Sequence, residues 1–366
     1  MRILKKFSIL KVITNSTLTY LVPSNITYLN FGSLALFFLI IQIISGLFIS
    51  MHYIPFEIYS FNSVEILMRE INFGLLRYIH SNGASIFFFV VYIHIFRGLY
   101  YGSYVYPREF LIIGVFILLL MIITAFVGYV LPGQMSFAAT VILNLVTAIP
   151  LIGDIIVTFL LGSFSVSQAT LNRFFTFHFL FPFIILGLVI LHLIFLHENG
   201  SGNPLGINIK EDRITLSPYF IIKDFLGFLY ILIFYLFLIF FIPNYLSHSD
   251  NYIIANPMIT PIHIVPEYFL FFYAILRSIP NKLGGVLALL SSILILILLP
   301  YIIKLVIKSC IFRPIYKIIF IFFVINCFFL GIGGQVVIYP FYELGQIMTF
   351  FYFFYFLINF FSLNLI

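Results

Sequence analysis

Long apolar runs alternate with short polar segments along this chain, and each run is about as long as one bilayer crossing. A membrane-spanning helix needs about 20 consecutive, mostly apolar residues. Eight runs reach that length, at 31–51, 76–101, 110–131, 173–196, 221–243, 285–305, 315–335 and 341–361. Two further stretches do not. Residues 134–168 hold Pro150, Asp154 and several Gly and Ser, and residues 244–283 hold Pro257, Pro261, Pro266 and Pro280. Both are expected to be re-entrant or to lie along the membrane surface. Irregular backbone at membrane depth persists only when packed in protein or lining a cavity, so both are candidate binding loops. The predicted fold is an all-α integral membrane protein. It has eight transmembrane helices, the first four gathered in a bundle, with surface-lying helices on one side.

Composition sharpens this. Of 366 residues, 63% are hydrophobic and 8% are charged. A water-facing surface needs roughly a quarter charged residues, which excludes a pair of soluble domains and intrinsic disorder alike. The net charge of +6 reports topology before it reports partners, and no nucleic acid is expected. With the N-terminus on the negative side, the tail and the 97–109, 197–223 and 304–317 loops fall together. They carry Arg2, Lys5, Lys6, Lys11, Arg97, Arg108, Lys210, Arg213, Lys223, Lys304, Lys308, Arg313 and Lys317, thirteen of the 18 bases. Loops rich in Lys and Arg stay on the negative side. Both surface-lying stretches then face the positive side. Cys310 and Cys327 belong to no C-x-x-C or C-x-x-C-H pattern, so covalent haem attachment and a Cys-ligated zinc have no support.

Four histidines lie deep in apolar context. His80 and His94 are in the second span, His178 and His192 in the fourth, and each pair is 14 residues apart. Fourteen helical steps end about 40° short of four full turns, so both members of a pair face nearly the same way, about 21 Å apart. Spans two and four run in the same direction. His80 can therefore meet His178 at one level and His94 meet His192 at another. The first and third spans carry Gly32 and Gly46, and Gly114 and Gly128, again 14 apart. Ionisable groups within spans are costly and mark function. Two imidazoles per site suit haem iron, and glycines suit backbones that flank a macrocycle. Arg77 and Arg97, each three residues from a histidine, can pair propionates bidentately. A proton-relaying transporter would also place His in spans, but it needs neither matched pairs nor glycines, and no inverted repeat is visible. A transmembrane reductase would need a flavin and nicotinamide domain, and no glycine fingerprint for one is present.

Several stretches carry a family resemblance: RYIHSNGAS at 77–85, HIFRGLYYGSY at 94–104, TAFVGYVLPGQMSF at 124–137, RFFTFHFLFPF at 173–183, LIFLHENGSGNP at 193–204, DNYIIANP at 250–257 and AILRSIPNKLGG at 274–285. In these the chain resembles cytochrome b, the haem subunit of mitochondrial respiratory complex III (cytochrome bc1), over nearly its whole length. The resemblance implies two non-covalent b-type haems, an upper one on His80 and His178 and a lower one on His94 and His192. It implies an N-terminal di-haem bundle, 1–205, and a C-terminal region, 206–366, that holds the Pro-Glu loop. The implied quinol-oxidation pocket uses Pro266 and Glu267 with Tyr129, Tyr268 and Tyr273. Ala138 takes a place in its wall where inhibitor-sensitive members carry Gly, which implies tolerance of methoxyacrylate inhibitors. The implied quinone-reduction pocket uses His197, Ser201, Lys223, Asp224 and Ser33. The implied activity is that of the catalytic subunit of ubiquinol–cytochrome c reductase, which couples ubiquinol oxidation to proton translocation. The implied partners are a Rieske iron–sulfur protein, cytochrome c1, other complex III subunits and a second copy in an obligate dimer. The implied location is the mitochondrial inner membrane, with both termini on the matrix side.

The chain departs from the family at tryptophan. It has 49 Phe and 24 Tyr but no Trp. At the junctions 74/75, 132/133, 137/138 and 267/268 the family motif closes if one Trp is added, and Leu330–Gln335 is also one residue short. A real deletion inside a helix would turn everything beyond it by about 100°. Several such deletions, all at Trp positions, point instead to Trp residues of the natural chain that are missing from the sequence as read. Natural loss of every Trp is the alternative.

Overall fold

In a computed structural model the apolar runs fold as long helices. The structure describes residues 18–26, 30–70, 74–105, 108–134, 144–163, 165–207, 211–254, 267–303, 305, 307–335 and 341–361. The helices of nine or more residues are α1 (Phe31–Ser50), α2 (Ser60–Arg69), α3 (Gly74–Tyr100), α4 (Arg108–Val130), α5 (Gly153–Leu161), α6 (Gln168–Asn199), α7 (Tyr219–Phe241), α8 (Leu270–Ser278), α9 (Lys282–Ile302), α10 (Pro314–Gln335) and α11 (Phe341–Phe361). Eight of them, α1, α3, α4, α6, α7, α9, α10 and α11, are long and apolar enough to span. They match the eight expected runs.

Local chemistry explains where the boundaries differ. The apolar run of the fourth span starts at 173, but α6 starts five residues earlier. There Ser167 N donates to Thr170 Oγ1 at 3.1 Å, which satisfies a donor that the first helical turn leaves over. The helix stops at Gly200, whose φ of 89° is a conformation that favours glycine. The short amphipathic α2 was not expected, because ten residues with three buried side chains give no span-length signal. Nor was a two-stranded antiparallel ladder of β1 (Leu21–Pro23) and β2 (Arg213–Thr215), with Leu21 opposite Thr215 and Pro23 opposite Arg213. The two non-spanning stretches contain α5, the 3-10 turns at Ser249–Tyr252 and Glu267–Phe269, and α8.

The first four spans pack as two close pairs, α1 along α3 and α4 along α6. Phe38, Val90, Met121 and Ile185 join all four, and Tyr235 of α7 seals one flank. A second core, around Ile275, Ile293, Leu330 and Tyr352, holds α8 to α11 against α4. Polar ties close it. Tyr352 Oη donates to Ser292 O at 2.8 Å, Thr349 Oγ1 to Ser278 Oγ at 3.0 Å, and Arg277 Nη1 to Gly334 O at 2.9 Å.

The two ends of the bundle separate as the basic residues suggest. At one end the β ladder joins the 18–26 segment to the loop before α7, and Gly102 and Gly206 both touch Lys308. Three basic loops and the chain's early segment therefore gather together. At the other end Gln134 Nε2 donates to Asp250 O at 3.3 Å, and Lys282 Nζ donates to Thr147 Oγ1 at 2.7 Å. These contacts tie the two surface-lying stretches to each other.

Candidate functional site: two imidazole pairs and two flanking pockets

The space between the two helix pairs is where the histidines meet. The His80 and His178 rings lie 6.0 Å apart, centroid to centroid, with an interplanar angle of 82°. His94 and His192 lie 6.5 Å apart at 62°. Two imidazoles bound on opposite sides of one metal ion, each through a bond of about 2 Å, place their centroids about 6 Å apart. Both pairs therefore have the spacing of a two-imidazole metal site. Among the described residues no group of three or more His, Cys, Asp or Glu could hold a metal.

The glycines act more directly than the sequence suggests. Rather than facing a macrocycle alone, each one backs a histidine. A Cβ on Gly46 would stand 3.1 Å from His80 Cε1, one on Gly114 3.2 Å from His192 Cε1, and one on Gly32 3.4 Å from His94 Cε1. A Cβ on Gly128 would overlap the His178 ring. Glycine lets each imidazole press against the neighbouring helix of its pair, so α1 seats the rings of α3 and α4 seats those of α6.

Hydrogen bonds set the tautomers. Ser45 Oγ donates to Ile41 O at 2.7 Å. Its contact of 2.9 Å with His80 Nδ1 therefore has the ring nitrogen as donor. His178 Nδ1 donates to Thr124 O at 2.8 Å. Both upper rings thus keep Nε2 unprotonated, the form that ligates a metal. Below, Arg97 Nη2 donates to His94 Nδ1 at 3.0 Å, because guanidinium carries only donors. Arg97 Nε and His192 Nδ1 are buried without a hydrogen-bond partner. Were a haem bound here, Arg97 would pair its propionate instead, and His94 would be free to take the ligating form. Beside the upper pair Gly46, Arg77, His80, Gly128, His178 and Pro182 line a cleft with about 790 Å³ of empty space, counting the part open to the surroundings. Arg77 Nη1 contacts Met68 Sδ at 3.5 Å. The residues present fit two haems.

At the upper end Tyr129 Oη accepts from Asn251 Nδ2 at 2.8 Å. One turn back along α4, Ala125 O accepts from Tyr268 Oη at 3.3 Å, and the Tyr268 ring stacks on Phe88 at 5.0 Å. Tyr129 and Tyr268 are thus brought to one region. Tyr273 sits further along, on α8, with its ring beside the Arg277 guanidinium at 5.5 Å. Glu267 opens a 3-10 turn directly before Tyr268. Pro266 and Ala138 lie outside the described residues.

At the lower end the His197 ring stacks on Tyr20 at 4.2 Å, and Tyr20 lies beside Ser201. Asp224 lies beside Ser33, and Lys223 Nζ donates to Ile26 O at 3.1 Å. The five expected residues thus fall into two groups, His197 with Ser201 and Ser33 with Lys223 and Asp224, joined by the segment that carries Tyr20 and Ile26. Sequence reasoning missed Tyr20 and Ser45. Ser45 had a signal, as a polar residue next to Gly46 in an apolar span. Tyr20 had none.

A membrane-embedded helical bundle with two stacked bis-imidazole sites defines a class, the di-haem membrane cytochromes. Comparison with known proteins narrows it. Residues 17–200 match the family described as cytochrome b/b6/petB, and residues 254–353 match cytochrome b(C-terminal)/b6/petD. Cytochrome b of Chondrus crispus is 55% identical over 365 residues, covering 98% of this chain and 96% of that one. Cytochrome b of Cyanidium caldarium is 56% identical, covering 95% and 92%, and that of Oryza sativa subsp. japonica 55%, covering 97% and 92%. A chain of a hyperthermophilic respiratory complex III is similar in structure, with a TM-score of 0.90, 33% identity and coverage of 98% and 97%. The chain belongs to the cytochrome b family.

Proposed function

We propose that this chain is the central electron-transfer subunit of a ubiquinol–cytochrome c reductase, respiratory complex III. The observation that carries this is the pair of imidazole couples at 6.0 and 6.5 Å, each backed by glycine. In this reading His80 and His178 hold the upper b haem, His94 and His192 hold the lower one, and Arg77 and Arg97 pair their propionates. When bound, the haems supply one-electron carriers between the two ends of the bundle. The unit 1–205 provides this bundle, and the unit 206–366 completes the pockets.

The chain's own groups then handle quinone and protons. Oxidising a quinol releases two protons, and Glu267, the acid–base group of the proposed pocket with Tyr129 and Tyr268, takes one at its carboxylate. A carboxyl group in a poorly solvated pocket can both accept and pass on a proton. Reducing a quinone at the opposite end consumes protons, which His197 and Asp224 deliver. Ser201, Ser33 and Lys223 orient the head group. Opposite proton traffic at the two ends amounts to translocation. The partners are a Rieske iron–sulfur protein, cytochrome c1 and a second copy of this chain. Exposed Phe179, Phe183, Ile190 and Ile194 on α6 suit lipid or that copy. The location is the mitochondrial inner membrane, with both termini in the matrix.

A b-type haem spectrum tests the reading. Two kinetically distinct, non-covalent b haems per chain are expected in membranes carrying the assembled complex. One haem or none would overturn it. The transporter reading gives the four glycines no task.

A further inference from the structure

We infer that Tyr20 is a positioning residue of the negative-side pocket, holding the His197 imidazole in one orientation by stacking on it. The inference rests on the quinone-reduction reading above. His197 lies in the last turn of α6, three residues before Gly200 reverses the chain. An imidazole at a helix end keeps its side-chain freedom unless something packs on it. Tyr20 packs on it nearly face to face, with centroids 4.2 Å apart and an interplanar angle of 24°.

Tyr20 can do this because it is itself held. Leu216 N donates to Tyr20 O at 2.8 Å, and Ser217 N to Leu18 O at 3.4 Å. The β1–β2 ladder continues directly from it, with Val22 2% exposed. Lys223 Nζ ties down Ile26 just beyond. The segment bearing Tyr20, just before β1, is therefore clamped to the segment that opens α7, two turns from Asp224, while its ring reaches the end of α6. One aromatic ring links the two helices that supply the proposed proton donors. Its hydroxyl is buried beside Ser201 and Arg213. Burial pushes the phenol above its ordinary pKa, against opposing effects of Ser201 and Arg213, so the group stays neutral.

Misplacing a reacting group by about 1 Å can cost about a hundredfold in rate, so loss of one packing face is expected to cost about tenfold. The test measures lower-haem reduction by quinol in membranes carrying the whole complex, with the opposite pocket disabled by Glu267→Gln. Tyr20→Leu and Tyr20→Met should each lower the maximal rate about tenfold, leave the half-saturating quinol concentration within about twofold, and keep both haem bands. Tyr20→Phe, which preserves the ring, should restore the rate to within about twofold. Normal rates in both non-aromatic variants, or a Phe variant as slow as they are, would overturn the inference. So would a change confined to half-saturation. His197→Gln separates the two levels. If it is slow while the Leu and Met variants are normal, only the role of Tyr20 fails. If it too is normal, the pocket reading fails.

Discussion

Gly128 lies against the His178 imidazole so closely that a Cβ on it would overlap Cε1 of the ring. The other three glycines leave progressively more room, from 3.1 Å at Gly46 to 3.4 Å at Gly32. Overpacking a tight site by one methyl costs about 1–3 kcal/mol. Gly128→Ala should therefore displace the His178 ring and deplete the upper haem, whereas Gly32→Ala should retain the lower one. Haem content and redox difference spectra of the two variants check this. Equal loss from both would mean that these contacts do not control occupancy.

The two levels should fail independently. Replacing His94 or His192 should remove the lower haem and leave quinol able to reduce only the upper one, because the pairs share no ligand. Retention of both haems after either change would refute the ligand assignment.

The two pockets should separate in half-reactions. Glu267→Gln should slow quinol oxidation, because the amide cannot carry the proton. Asp224→Asn should slow quinone reduction instead. Stopped-flow measurement of each half-reaction is the check, and impairment of the same step by both variants would contradict a two-pocket protein. In the quinol pocket Ala138→Gly should sensitise turnover to a methoxyacrylate inhibitor, by about one to two decades of affinity. Identical titrations of parent and variant would remove Ala138 from the pocket wall.

Cys310 is fully buried. Burial pushes its thiol up to about 12, against a smaller opposing effect of Arg313. The thiolate is the reactive form, so almost none exists at pH 8, and the fraction grows only as pH approaches 12. The folded protein should leave Cys310 unalkylated by iodoacetamide at pH 8, and detergent denaturation should expose it. Rapid labelling of the native protein would contradict this.

Tryptophan is open to direct measurement. The alignment with the Chondrus crispus protein runs over 365 residues yet covers only 98% of these 366, so gaps fall within this chain. Peptide mass spectrometry of the natural protein should show added Trp mass at one or more of the junctions 74/75, 132/133, 137/138 and 267/268. Continuous coverage with no added mass at all four would make the deletions real.

Sequence alone determined the eight spans, the level of each histidine and the basic end of the bundle. These properties are local or periodic. A 20-residue apolar run reads as a span wherever it occurs, and a 14-residue spacing sets facing within one helix whatever its neighbours. Tertiary structure decided which groups touch. The glycine of one helix backs the histidine of the next, Ser45 fixes the tautomer of His80, and Arg97 turns onto His94 instead of standing apart from it. Tyr20 meets His197 from the far end of the di-haem half of the chain, through a β ladder of three residues a side. Such contacts join residues with no common period and no span-length signal. They exist only once the helices have packed.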